Sequence, residues 1–223
     1  MPFSSGLSLA AAPGEVARKG RRARCGRSAT SGYDAIVIGH SSMGFIPAPA
    51  ADQKMVIDEQ IELLKEALEE AKKAGSNRSV KDIEKKLKTL QEKLDNLAVR
   101  NTDDIGYDME TMGIDYIAVD ESHEFKNLAY TTVAPRVVGM NDPVGSKKAF
   151  DLNIKVRGVL SRKGSVTFAT GTPVSNSLVE LYTVMQYLAH DELADRNQLN
   201  FDAWSGAYTR TETKVEYTPT QKV

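Results

Sequence analysis

The chemistry in this chain concentrates where two apolar runs give out. IAVDESHEFKN, Ile117–Asn127, passes from aliphatic residues straight into Asp120 and Glu121, with His123 two places on. A carboxylate at the end of a buried strand can hold the water shell of a Mg²⁺ ion, and its neighbour can polarise an attacking water. Phosphoryl transfer asks a protein for little beyond such placement and charge. A histidine two residues later can link that site to a neighbouring loop. The second stretch, FATGTPVSNS, Phe168–Ser177, ends on Thr170, Gly171, Thr172 and Pro173, with Asn176 close behind. Taken singly, an acidic pair after a strand is often only solvated, and TGTP reads as an ordinary turn.

Two other patterns approach catalytic motifs and fail on spacing. Gly39-His40-Ser41-Ser42-Met43-Gly44 follows an apolar run as a nucleophile elbow would, but it is one residue too long for G-x-S-x-G. A hydrolase centred on Ser41 would also need an acid and then a histidine downstream, where only His123 and His190 remain. His123-Glu124 opens like a zinc-protease helix, yet the second histidine would fall on Asn127. With three histidines and one cysteine in the chain, no transition-metal site is expected.

To bring the acidic pair and the TGTP stretch to one place, the chain needs strands whose carboxyl ends lie together. YDAIVI (Tyr33–Ile38), GIDYIAVD (Gly113–Asp120) and SVTFAT (Ser165–Thr170) read as short buried strands. Helical spacing spans Ser146–Leu160 and Leu178–Leu188. Strands alternating with helices predict an open parallel α/β sheet, whose functional loops gather at the carboxyl ends of its strands. GHSSMG, DESH and TGTP all occupy such positions.

Residues 51–98 depart from that pattern. Ile57, Ile61, Leu64 and Leu68, and then Val80, Ile83, Leu87, Leu90, Leu94 and Leu97, repeat about every 3.5 residues, the seam of a coiled coil. AGSNRS interrupts them. Gly75 suits a C-terminal cap, and Ser79 an N-terminal one with Asp82 three residues on. The pattern predicts an antiparallel helical hairpin, each arm roughly 30 Å long, packed on its own domain.

Bulk properties set outer limits. The 223 residues suffice for one domain with an appendage, and 41% hydrophobic content allows a core. A net charge of −1 gives no global pull toward nucleic acid or an anionic membrane, so any basic surface must be local. The lone Cys25 excludes a disulfide framework and fits a reducing, cytoplasmic setting. No apolar run approaches the roughly 20 residues of a membrane span. Residues 1–32 carry Glu15 as their sole acid and read as a disordered or non-native basic start, with a composition that transit peptides share.

Side by side, the two stretches become specific. DESHEFKN fits the D-E-x-H-x-x-K-N form of helicase motif II, and ATGTPVSN the T-G-T-P-x-x-N form of motif III. Both forms belong to Swi/Snf-type, DEAH-like ATPases of helicase superfamily two. YDAIVIGHSSMGFIP, a charged hairpin, IDYIAVDESHEFKNL, FATGTPVSNSLVELYTVMQYL and FDAW follow one another over residues 33–204. In that order they resemble the large helicase/methylase-type proteins of phages and mobile elements.

The resemblance implies a partial RecA-like lobe of a P-loop NTPase, over 33–50 and 99–205, with the hairpin 51–98 inserted and 206–223 a truncated tail. It implies ATP and Mg²⁺ as cofactors. Asp120 would serve Mg²⁺, Glu121 would activate water, and His123 would couple the site to motif III. Thr170, Gly171 and Thr172, with Pro173 and Asn176, would form the loop that relays nucleotide state to the DNA path. Lys126 and Asn127 complete the motif II signature. DNA is the implied partner, and a fused or associated methylase domain is implied by resemblance alone.

The sequence departs from that family in two ways: it is expected to lack the second motor lobe, and it lacks the phosphate-binding loop. It contains no G-x-x-x-x-G-K-[ST], the loop whose backbone cradles phosphates and whose lysine reaches them. The expectation is therefore a fragment of a DNA-dependent ATPase, inactive alone and prone to self-association through an unpaired sheet edge. The alternative is a non-catalytic interaction module that presents the hairpin to a partner. A hydrolase centred on Ser41 is a third reading.

Overall fold

The computed structural model describes residues 9–11, 34–73, 75, 77–100, 107–132, 145–175 and 177–210. It is a mixed α/β arrangement, mostly helical. Strand β1 (Leu9–Ala11) pairs in parallel with β2 (Ala35–Val37), Leu9 opposite Ala35. Strand β3 (Tyr116–Val119) pairs in parallel with β4 (Ser165–Phe168), Tyr116 opposite Ser165 and Val119 opposite Phe168.

One open sheet through all three expected strands does not form among the described residues. They make two separate two-stranded sheets, with β2 paired to β1 and β3 to β4. Side chains join the sheets instead: Ile38, Met43 and Ile46, just after β2, pack into the core that Ile117 and Val119 of β3 enter. The strands also differ from fully buried ones. Along β3, Ile117 and Val119 are buried while Tyr116 and Ala118 are exposed, and Ser165 and Thr167 of β4 are exposed too. Helix α3 (Lys147–Ser161) covers one face with Leu152, Val156 and Val159. Each such buried aliphatic side chain contributes about 1.5–3 kcal/mol. The other face is polar enough to stay wet, and there the Tyr116 hydroxyl donates to Thr167 Oγ1 at 2.9 Å.

Helix α3 is the crossover that parallel neighbours require. Ser146 caps it, its hydroxyl accepting from Ala149 N at 3.1 Å. Arg162 and Lys163 then end the helix, and β4 begins after Gly164.

The hairpin forms as the periodicity predicts. Helix α1 (Ala50–Lys73) and helix α2 (Asn77–Arg100) bury Ile57, Ile61, Leu64, Ala67, Ala71, Ile83 and Leu90 between them. Leu68, Val80, Leu87, Leu94 and Leu97 of the predicted seam are partly buried against that cluster. Helix α2 begins at Asn77, so Ser79 lies inside the helix and is not its cap. Gly75, with φ +70°, completes the reversal in so few residues that the second helix starts early.

The base of the hairpin rests on α3. Arg162 Nη1 donates to both oxygens of the buried Asp52, at 3.0 and 2.8 Å, and Arg157 Nη1 to Glu59 Oε2 at 2.7 Å. A Cβ at Gly158 would come within 2.0 Å of Asp52 Oδ2, so only glycine permits this approach.

The chain finishes in helices α4 (Leu178–Leu188), α5 (His190–Asp195) and α6 (Phe201–Tyr208). Tyr182, Phe201, Trp204, Val179 and Leu193 form a separate aromatic-rich cluster. Among the described residues, no helix is long and apolar enough to cross a membrane.

Candidate functional site

The parallel pairing of β3 and β4 brings their carboxyl ends side by side. Ala169 N donates to Val119 O at 2.8 Å, and one residue further Ser122 N donates to Ala169 O at 3.0 Å. The ladder therefore continues past both strands and fixes DESH beside TGTP.

Asp120 and Glu121 are exposed at the end of β3. Glu121 N donates to Asp120 Oδ1 at 2.9 Å, which leaves the other carboxylate oxygen open. Glu121 holds φ 48° and ψ 47°. A non-glycine residue in this left-handed region is uncommon and carries a modest conformational cost. The twist turns the chain directly into a 3-10 turn, Ser122–Phe125, whose Phe125 is buried in the core under β3.

His123 faces two ways. Its Nδ1 lies 3.2 Å from Thr170 Oγ1 and 3.1 Å from Glu121 Oε2. A proton on Nδ1 can serve either acceptor, so this ring joins one member of the acidic pair to the TGTP loop. Thr170 Oγ1 also accepts from Thr172 N at 3.1 Å, which sets the turn. Gly171, Thr172 and Pro173 are exposed, and nothing among the described residues within 4 Å would meet a Cβ at Gly171. Asn176 lies outside the described residues.

Lys126 supplies a second tie between the stretches. Its Nζ lies 2.9 Å from Oε1 of Glu180, a fully buried carboxylate in the first turn of α4, and donates to Ser175 Oγ as well. The other oxygen of Glu180 accepts from Ser175 N at 2.6 Å. Asn127 acts through its backbone: its carbonyl accepts from Ser146 N at 2.8 Å, tying the end of DESHEFKN to the start of α3. Tyr187 of α4, fully buried, directs its hydroxyl to Phe125 O and Ala149 O, and burial pushes its ionisation well above the ordinary tyrosine range. Beneath the junction lies a cavity of about 10 Å³, lined by His123, Lys126, Thr170, Pro173 and Thr183 among others. That is about the room one water needs.

The GHSSMG loop also reaches this site, though not as a nucleophile. His40 Nε2 donates to Asp120 O at 2.9 Å, and its ring meets Phe125 edge-on at 4.9 Å. Lys155, almost wholly buried on α3, donates to Met43 O at 2.8 Å and so pins the loop from below. Burial lowers the Lys155 pKa, while Asp151 works against that shift. His123 is committed to Thr170 and Glu121, and His190 to Glu59, so Ser41 has no histidine partner among the described residues. His40, Ser175 and Glu180 are the members that sequence reasoning missed. A glutamate in a helix's first turn looks like a favourable dipole contact, and nothing local in the sequence marks it as buried.

Mg²⁺ keeps several waters and takes one or two protein carboxylates beside substrate phosphates. One open carboxylate at Asp120 suits that habit. Among the described residues no group of three or more His, Cys, Asp or Glu side chains is placed to hold a metal ion by itself. Compared with known families, residues 14–223 match the model of one described as a probable helicase domain. No curated protein and no solved structure matches the chain.

Proposed function

This chain belongs to the family of probable helicase domains, and from that premise we propose that it is the motif II and motif III portion of a RecA-like, Swi/Snf-type motor lobe of superfamily two. In this reading it contributes to Mg²⁺-dependent ATP hydrolysis coupled to DNA, within a cytoplasmic protein of the phage and mobile-element helicase/methylase group. The hairpin is an inserted antiparallel coiled coil. The observation that carries the reading is the meeting of His123 and Thr170, at 3.2 Å, across two strand ends that the backbone ladder holds together.

In this reading Asp120 orients the Mg²⁺ shell through its open oxygen. Glu121 polarises the attacking water, and its contact to His123 passes a change at the acidic pair on to Thr170. Bound ATP and Mg²⁺ supply the scissile phosphoanhydride and the charge that balances it. Lys126, through Ser175 and Glu180, keeps the loop from Thr170 to Ser175 in register with motif II. Space at Gly171 favours close approach of a phosphate or of another segment. A fused or associated methylase domain belongs to the same proposal.

The test is ATP turnover by the full gene product, with and without duplex DNA. Glu121→Gln is expected to lower kcat at least about 100-fold, a loss typical of removing a positioned acid or base. Thr170→Val should leave basal turnover within a few-fold while weakening its stimulation by DNA. Turnover indifferent to Glu121→Gln would remove the acidic pair from the chemistry.

A further inference from the structure

The two arms of the hairpin carry opposite charge. Helix α1 holds seven acids against four lysines, and α2 seven basic residues against four acids. The cations of α1 are mostly committed: Lys54, Lys65 and Lys72 each pair with an acid on the same helix, at 2.7–3.1 Å. Lys81, Lys85 and Lys88 of α2 are exposed and make no ion pair among the described residues. Their spacing of four and then three residues puts them on one face, opposite the seam formed by Ile83 and Leu90.

Their position along the arm matters as much as their charge. The ion pairs and ring contacts that fasten the hairpin to the body involve Asp52, Glu59 and Lys93, the last over the Phe150 ring at 4.3 Å. Lys88, Lys85 and Lys81 follow toward the Gly75 reversal, the most distant about 18 Å beyond Lys93 at 1.5 Å per residue. Glu84, three residues past Lys81 and four before Lys88, is the one exposed acid inside this face; past Lys88 in the other direction, Glu92 and Asp95 take over. The cationic stripe thus begins where the hairpin leaves the body.

We propose that this stripe is a docking surface for the phosphate backbone of duplex DNA. It deepens the motor reading and rests on it for the class of partner. Lys81 to Lys88 spans about 10 Å, close to three phosphates along one strand. Lysines act on phosphates as point charges and do not read bases. Helix α2 has no aromatic residue, so the stacking platform that single strands favour is missing. The charge pattern and chemistry therefore fit a sequence-independent duplex contact.

Fluorescence anisotropy with a labelled duplex of about 30 base pairs, across a salt series starting near 50 mM, tests this. The variant K81Q/K85Q/K88Q keeps good helix formers and removes only charge; circular dichroism checks its helicity. Expected are an affinity loss of at least 10-fold at the lowest salt and a slope of log K against log salt shallower by about 2.7, from three phosphate contacts. The matched variant K54Q/K65Q/K72Q should bind as the parent does. Unchanged binding by the α2 variant, equal loss in the α1 variant, absence of duplex binding by the parent, or a 10-fold preference for single strands would each overturn the proposal. The two readings fail separately. Lysine-dependent duplex binding without ATP turnover removes the motor and keeps the stripe, and turnover with lysine-independent binding does the reverse.

Discussion

Glu59 at the base of the hairpin offers the most quantitative handle on how the arm is held. Its carboxylate meets Arg157 Nη1 at 2.7 Å and His190 Nε2 at 3.4 Å. Burial alone would raise its pKa. Hydrogen bonds from His190 and Arg157, and their charges, outweigh burial and bring it from 4.5 down to about 2. A fall of about 2.5 at about 1.4 kcal/mol each corresponds to roughly 3.5 kcal/mol of stability at neutral pH. The side chain is 28% exposed, and solvent screening reduces that to about 1–2 kcal/mol. The folded pKa is depressed, so the contribution is complete above pH 4.5, declines as pH falls toward 2 and vanishes below it.

Glu59→Gln removes the titrating group. Urea unfolding of parent and variant, at neutral pH and in steps down to about pH 3, should show a gap of about 1–2 kcal/mol that narrows below 4.5. The uncompensated Arg157 adds a part that does not vary with pH. A gap that stays constant from neutral pH to pH 3 would refute the reasoning, because the ion pair would then contribute nothing through its charge.

Two further substitutions probe the packing around the site. Gly158→Ala should cost about 1–3 kcal/mol by overpacking, despite alanine's better helix propensity, because Arg162 holds Asp52 in the path of the new methyl; thermal unfolding reads it, and an unchanged Tm would show that α1 can slide. Lys126→Met should cost about 1–3 kcal/mol by taking a cation from the buried Glu180. Hydrogen exchange at the Ser175 amide should quicken in that variant, and an unchanged rate would mean the lysine does not hold the loop.

Helix α4 was legible to the residue, since the apolar-rich stretch Leu178–Leu188 forms it whole, with Ser177 as its cap. The hairpin was legible because its periodicity persists over many turns and beats any local signal. Pairing between strands was not. The three residues of β1 carry no alternation, and nothing in Ala35–Val37 says that it will choose Leu9–Ala11 over β3. At the site, the acids and the TGTP turn could be read because each follows a strand. His40 could not, since its loop imitates a nucleophile elbow while its ring serves the carbonyl of Asp120. Glu180 escaped because its burial depends on Lys126, far away in sequence.

The fastening of the hairpin makes it a lever. Its short arm is α3, tied at its first turn to Asn127 and along its side to Asp52 and Glu59. Its long arm, past the fastening at Glu59, runs about 21 Å to Lys73. A tilt of about 5° at the base sweeps the Gly75 end through roughly 2 Å. A tilt of α3 beside the DESH turn is thus magnified at the far end of the hairpin.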